Sequence, residues 1–330
     1  MPDLIEERVA EDCVSMRLDR WLAGRSGAPS RARIQSLIRQ GCARVNDIPV
    51  PHPATRLKPG DMVRLELPPD APDAAFPEAI PLAVLYEDDD VIVIDKPAGM
   101  VVHPGAGNPT GTLVNALLHH CGGRLAQVAD PQRPGIVHRI DKGTSGVMVA
   151  AKTDRAYAGL TRQFAEHSVE RSYIAFVQGH PAPASGSVDA PIGRHPVDRK
   201  RMAVTDGGKH AVTYYETETT YWTDKGAPLA ARVACRLETG RTHQVRVHMA
   251  SLGHPLLGDP VYGRALPGHL RHQTAYASVA AFPRQALHAA TLAFLHPSTE
   301  EILKFASEMP HDLQKLQTAL NDHNPVTPAS

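Results

Sequence analysis

The chain fits an α+β organisation, and three observations frame it. Short strand-like apolar runs at 91–94, 147–151 and 171–177 are interleaved with few helical stretches, the clearest at 30–39, 112–120 and 154–168. A basic N-terminal segment gives way to an acidic, proline-rich one, the pattern of a small unit and its tether. With 330 residues, the remainder is long enough to bury a substantial core. How the strands pair is not readable from this alternation.

Formal charge is zero, with 35 basic and 35 acidic residues, which taken alone argues against a nucleic-acid binder. The distribution argues otherwise: residues 16–69 carry ten Arg or Lys against four acids, a net +6, and residues 70–90 hold seven acids and no Arg or Lys. The expected division is therefore a small domain at 16–69, a linker at 70–80 and a large domain at 81–310. Within the first, Ser30 is a good helix N-cap, Ile34, Leu37 and Ile38 form one apolar face, and Gly41 is a stop. The other arc carries Arg31, Arg33 and Arg39, and Arg17 and Arg44 add to its charge. Such an arc is either a solvated face or a surface for RNA phosphates, and the added arginines favour RNA.

Several function classes are excluded. Cys13, Cys42, Cys121 and Cys235 are far apart and form no CxxC pair, so neither a zinc site nor a disulfide framework is expected. No apolar run approaches the roughly 20 residues of a membrane span, and the N-terminus lacks a signal pattern, so a cytoplasmic protein without a membrane partner is expected. The glycines of HPGAGNPTGT match neither dinucleotide nor P-loop spacing, so no nucleotide cofactor is expected. His119 and His120 read as structural, and no residue is assigned to a metal.

The chemistry concentrates in HRIDKGTSGVMVAA, residues 138–151. Asp141 sits on a loop before a strand-like run, between the cations Arg139 and Lys142; taken alone such an acid reads first as a surface salt bridge, with a catalytic carboxylate as the alternative that the later stretches favour. Tyr173 lies in the strand-like RSYIAFV, and Arg241 in the turn of LETGRTHQVRVH, whose Val245 and Val247 alternate with Arg246 and His248 as on a half-buried strand. Read singly, these residues are a packing tyrosine and a cationic strand.

Together HRIDKGTSGVMVAAKT, RSYIAFV and ETGRTHQVRVH, with DKPAGMVVHPGAGNPTGT before and GDPVYG and RQALHA after, resemble the RluA-type pseudouridine synthases. Residues 16–69 resemble the small RNA-binding module named after a small-subunit ribosomal protein, through Arg17-Leu18-Asp19, Ser30-Arg31, Val45-Asn46 and Lys58-Pro59-Gly60-Asp61. The resemblance implies a mixed, largely antiparallel sheet with a central cleft, and isomerisation of uridine with no metal or organic cofactor. By resemblance Asp141 is the essential acid, as nucleophile or glycal-forming base. Arg241 supplies its paired charge, Tyr173 faces the base, and Arg139 fills the gap left by a flipped nucleotide. His138 and Thr144 brace the loop. Ile140, Arg171 and Val245 replace a usual Leu, Lys and Ile without changing shape or charge. PIGRHP, MAV and the LHPSTEE tail are similar to the branch acting on the large ribosomal subunit, which implies structured 23S rRNA as partner. A different rRNA site, tRNA, or a non-catalytic assembly factor are the alternatives. The tail at 320–330 is expected to be disordered.

Overall fold

The computed structural model describes residues 3–13, 15–26, 28–67, 74–105, 107–128, 130–199, 201–266, 268 and 274–322. The chain divides into two units, Met1–Asp73 and Ala74–Ser330.

In the first unit, β1 (Asp3–Arg8), helices α1 (Leu18–Ala23) and α2 (Arg31–Arg39), and β2 (Ala43–Val45), β3 (Ile48–Pro49) and β4 (Met62–Leu67) surround one core. The sheet order is β1-β4-β2-β3. Leu18, Trp21 and Leu22 of α1 meet Ile34, Leu37 and Ile38 of α2 over Val63 and Leu65. Ser30 Oγ accepts the Arg33 amide at 3.4 Å and so caps α2. Asn46 and Asp47 both take positive φ, which turns β2 back into β3 with the twist a tight hairpin requires. The unit starts earlier than residue 16, because β1 pairs antiparallel with the whole of β4. An acidic hexapeptide can do this on a sheet edge, where alternate side chains face water.

The second unit is built on nine strands: β5 (Ala83–Glu87), β6 (Val91–Lys96), β7 (Ser145–Ala151), β8 (Glu170–Gln178), β9 (Ser185–Asp189), β12 (Val212–Trp222), β13 (Pro228–Leu237), β14 (Leu287–Leu295) and β15 (Ile302–Ala306). Strands β10 (Ile192–Arg194) and β11 (Met202–Val204) form a separate hairpin. The helices are α3 (Leu113–His120), α4 (Asp154–Ala165), α5 (Gln244–Ser251), α6 (Thr274–Ala280) and α7 (His311–Asn321). The sheet order is β5-β6-β7-β14-β8-β13-β12-β9, with β15 on β14; β7 and β14 pair parallel and the other ladders are antiparallel. This is the mixed, largely antiparallel sheet. Every residue of β7 is buried. Met148 and Ala150 face the core under α3, while Val147, Val149 and Ala151 face the one under α4, which is why the run is apolar without alternation.

Three expectations need correction here. Residues 70–73 lie outside the described residues, but 74–80 are not a free tether: Asn115 Nδ2 donates to Phe76 O at 2.8 Å, and the Glu78 amide donates to Asn115 O at 3.0 Å. Residues 323–330 of the expected tail also lie outside the described residues, yet Leu320 is buried and Asn321 closes α7. Residues 244–251 are a helix, not a strand. Gln244 through Met249 are all buried, so the helix is enclosed on every side, and over VRVH its valines mimic a two-residue period.

Candidate active site

Asp141 is held on a loop gripped from several directions just before β7. The Thr144 amide donates to Asp141 O at 3.0 Å, Arg284 Nη1 donates to Gly143 O at 2.8 Å, and the Gly99 amide donates to Lys142 O at 2.7 Å. Thr144 Oγ1 accepts from Gln285 Nε2 at 3.2 Å, and a Cβ on Gly143 would reach within 2.5 Å of Gln285 Oε1. His138 stacks on Phe164 with ring centroids 4.6 Å apart, and its Nε2 accepts the Val149 amide at 3.1 Å. Burial, then the nearby charge of Arg171, push the His138 pKa down to about 3, so the ring stays neutral and keeps that acceptor. His138 and Thr144 therefore make the bracing contacts expected of them.

The partner of Asp141 is Arg246, not Arg241. Arg246 Nη1 lies 2.8 Å from Asp141 Oδ2, while its Nε and Nη2 donate to Asp259 at 2.7 and 2.9 Å. Asp259 Oδ1 also accepts the amides of Val261 and Tyr262. Burial pulls the Arg246 pKa down, but the hydrogen bonds and charges of Asp259 and Asp141 outweigh it and leave the guanidinium more firmly protonated. Arg241 lines the same cavity, with its Nε directed to His210 O at 2.9 Å.

A second residue of α5 that sequence reading missed faces the same acid. His243, in the left-handed conformation at the helix N-cap, places Nε2 3.8 Å from Asp141 Oδ1. Its Nδ1 is 2.8 Å from the Tyr262 hydroxyl, which accepts the Met202 amide. His243 and Arg246 lie one turn apart and share a helix face. A helical reading of THQVRVH would have paired them; a strand reading set them on opposite sides.

Asp141 stands between two hollows. One, of about 480 Å³, is walled by Tyr173, His138, Arg171, Arg241, Leu237 and Leu287; the other, of about 810 Å³, by Asn108, Lys142, Val261, Arg284 and Asp312. His103, Arg139, His243 and Arg246 border both. Tyr173 is buried and its phenol pKa is raised by burial, with Arg171 opposing and Asp141 adding to the shift. Arg139 is exposed, with Nη1 3.0 Å from His103 Nε2. Beneath the site Lys96, fully buried, donates to Pro97 O and Met100 O at 2.8 and 2.9 Å, and burial pushes its pKa down to about 7 against the pull of Asp141. A carboxylate clamped through one oxygen, a buried phenol beside it and a hollow with ample room for a nucleotide base can act on a flat, neutral ring.

In the first unit the basic arc is partly spent internally. Asp19 is fully buried and receives Arg17 Nε at 2.9 Å, Arg31 Nη2 at 2.9 Å and Gln35 Nε2 at 2.6 Å, which hold its pKa far below the usual carboxylate range. Arg39 and Arg44 are exposed and carry no acid partner among the described residues.

Residues 90–251 match the RNA pseudouridylate synthase family and residues 16–63 the S4 domain. The chain belongs to the RNA pseudouridylate synthase family, a family of isomerases. It is 50% identical to the ribosomal large subunit pseudouridine synthase D of Zymomonas mobilis subsp. mobilis, over 93% of this chain and 95% of that one. It is 46% identical to the protein of the same name in Xanthomonas campestris pv. campestris, over 95% and 92%. Among solved structures it resembles human RNA pseudouridylate synthase domain containing 4, at 29% identity and TM-score 0.54, covering 72% of this chain and 93% of that one. Among the described residues no helix is long and apolar enough to cross a membrane, and no group of His, Cys, Asp or Glu is arranged to hold a metal ion.

Proposed function

We propose that the hollow beside Asp141 receives a uridine turned out of structured RNA and converts it to pseudouridine, and that the RNA is 23S rRNA of the large ribosomal subunit. The observation that carries this reading is the geometry of Asp141: Oδ2 is bound by Arg246, and the side chain lines the same hollow as Tyr173. The reaction breaks the bond between N1 and C1′, turns the base and rejoins it through C5. It is redox-neutral and adds no atom, so a positioned carboxylate and proton transfers suffice. Asp141 Oδ1 either attacks C1′ or removes the C2′ proton, and Tyr173 packs against the base. Extrusion costs a few kcal/mol of stacking. Arg139, exposed at the rim, is placed to occupy the vacated position. The names of the 50% and 46% identical relatives favour large-subunit rRNA over tRNA. The reading implies a cytoplasmic enzyme working without a cofactor.

The test is Asp141→Asn in the full-length chain, assayed on large-subunit rRNA transcripts. Pseudouridine formation is expected to vanish while RNA affinity stays within about twofold, since the side chain's volume is kept; turnover by this variant would remove Asp141 from the chemistry. Mapping pseudouridines in cells lacking the gene identifies the substrate. Loss of a site in tRNA alone would redirect the proposal.

A further inference from the structure

We infer that Arg171 is the cation that stabilises the uracil anion after it leaves C1′; the inference rests on the reading of the hollow as the uridine site. Arg171 is only 7% exposed, and among the described residues no carboxylate pairs with it. Its Nη2 donates to Glu238 O at 3.1 Å, its guanidinium lies 5.4 Å from the Phe164 ring, and its buried Nε has no hydrogen-bond partner. A Cβ on Gly240 would come within 2.7 Å of Nη1, so the backbone there is bare where the guanidinium lies across it. A guanidinium stays charged even when buried, and a buried charge without a counter-ion is destabilising. Arg171 lines the hollow and sits two residues from Tyr173 on one face of β8.

The reaction supplies the missing anion. Before cleavage the negative charge is on Asp141, balanced by Arg246. When the bond between N1 and C1′ breaks, its electron pair goes to N1. Asp141 either becomes an ester of C1′ or takes up the C2′ proton, and in both cases its charge is cancelled and one negative charge appears on the base. When C5 bonds to C1′, Asp141 regains its charge by leaving C1′ or by returning the proton to C2′. The C5 proton is then lost, and a proton is gained at N1. Whichever route Asp141 follows, a full charge crosses from one side of the hollow to the other and back. Arg246 is already engaged by two carboxylates, and Arg139 and Arg241 are partly solvated, where their fields are screened. Arg171 is desolvated and uncommitted.

The experiment compares two substrates in single-turnover reactions: an rRNA transcript that the wild-type enzyme converts, and the same transcript made with 5-fluorouridine, whose electron-withdrawing fluorine stabilises the departing anion. Loss of the N-linked nucleoside from nuclease digests reads the step. Arg171→Gln is expected to slow the uridine substrate about 100-fold, the size of one preorganised electrostatic contact, and the fluorinated one about tenfold, with RNA affinity within about twofold. Arg171→Lys should recover most of the loss. An equal loss on both substrates, or none, would overturn the inference, because a bracing role cannot sense the stability of the leaving base. Should Arg171→Gln not fold, Arg171→Lys carries the same comparison, its smaller loss still unequal between substrates. Failure of the wild-type enzyme on every rRNA transcript would instead strike the rRNA reading on which this rests.

Discussion

Arg246 is shared by two carboxylates, and that sharing sets what each can do. Its bidentate contact with Asp259 fixes the plane of the guanidinium, so the remaining Nη1 is aimed at Asp141 Oδ2 and cannot drift. A lysine supplies one point charge and cannot bridge both acids. Arg246→Lys is therefore expected to slow single-turnover conversion about 100-fold or more, while Arg241→Ala costs less than about tenfold on the same scale; the reverse order would return the pairing role to Arg241. The acid Asp141 was legible from the sequence because its loop, turn and strand are contiguous. Its cation was not, since the choice between Arg241, in the preceding turn, and Arg246 depends on 244–251 being a helix and not a strand. His138 yields a second prediction. Its folded pKa of about 3 lies below the ordinary value of 6.5, so between these pH values only the unfolded chain takes the proton, and stability falls as pH drops through that window. His103, His243, His248 and His288 are lowered too and act in the same direction. The loss of unfolding free energy between pH 7 and pH 5, read by denaturation, should be smaller in His138→Gln, by up to about 2 kcal/mol, because glutamine can accept the Val149 amide without titrating.

Among the elements, the crossing of β7 and β14 is the point on which the catalytic loop depends. Gly146 has φ 117, and a Cβ there would lie 2.1 Å from Ala289 O, so the parallel pair can form only around a bare backbone. Gly146→Ala must part the two strands five residues from Asp141. It is expected to destabilise by about 3 kcal/mol or more and to lower conversion with it, read by denaturation and by single-turnover assay; a variant with native stability would show that the crossing yields more than its packing implies. The sequence carried β7 plainly, as an apolar run preceded by a glycine-containing turn. It hid α5, because a helix buried on every side has no polar stripe to reveal its period. It also hid the work of the acidic stretch before β6. Asp88 accepts the amides of Asp90 and Val91, and Asp90 binds Thr153, Arg155 and Ser298, tying the β5–β6 turn to the start of α4 and the end of β14. Those acids are structural, though the sequence alone assigned them no role.

For the molecule as a whole, charge pairing decides which of the basic residues remain available to RNA. The net +6 over residues 16–69 leaves the rest of the chain net negative, so an electrostatic grip has to come from arrangement within each unit. In the first unit Arg17 and Arg31 hold the buried Asp19, Arg25 pairs with Glu7, and Arg64 with Glu6 and Asp47. In the sequence alone Arg17 and Arg31 read as RNA contacts, and pairing between distant segments is what composition could not count. Arg39 and Arg44 are exposed without an acid partner among the described residues, which leaves them among the cations free to neutralise phosphates. Binding of an rRNA transcript measured across a salt series separates the two groups. Arg39→Ala and Arg44→Ala should each weaken affinity at low salt and reduce the slope of log K against log salt by about one, as loss of one phosphate contact does, with the fold intact. Arg17→Ala should instead act through stability, lowering the denaturation midpoint as the buried Asp19 loses one of its two arginines. A full loss of slope from Arg17→Ala in a stably folded unit would mean that the Asp19 cluster opens to hand its arginines to RNA, and that its role is to hold them ready for it.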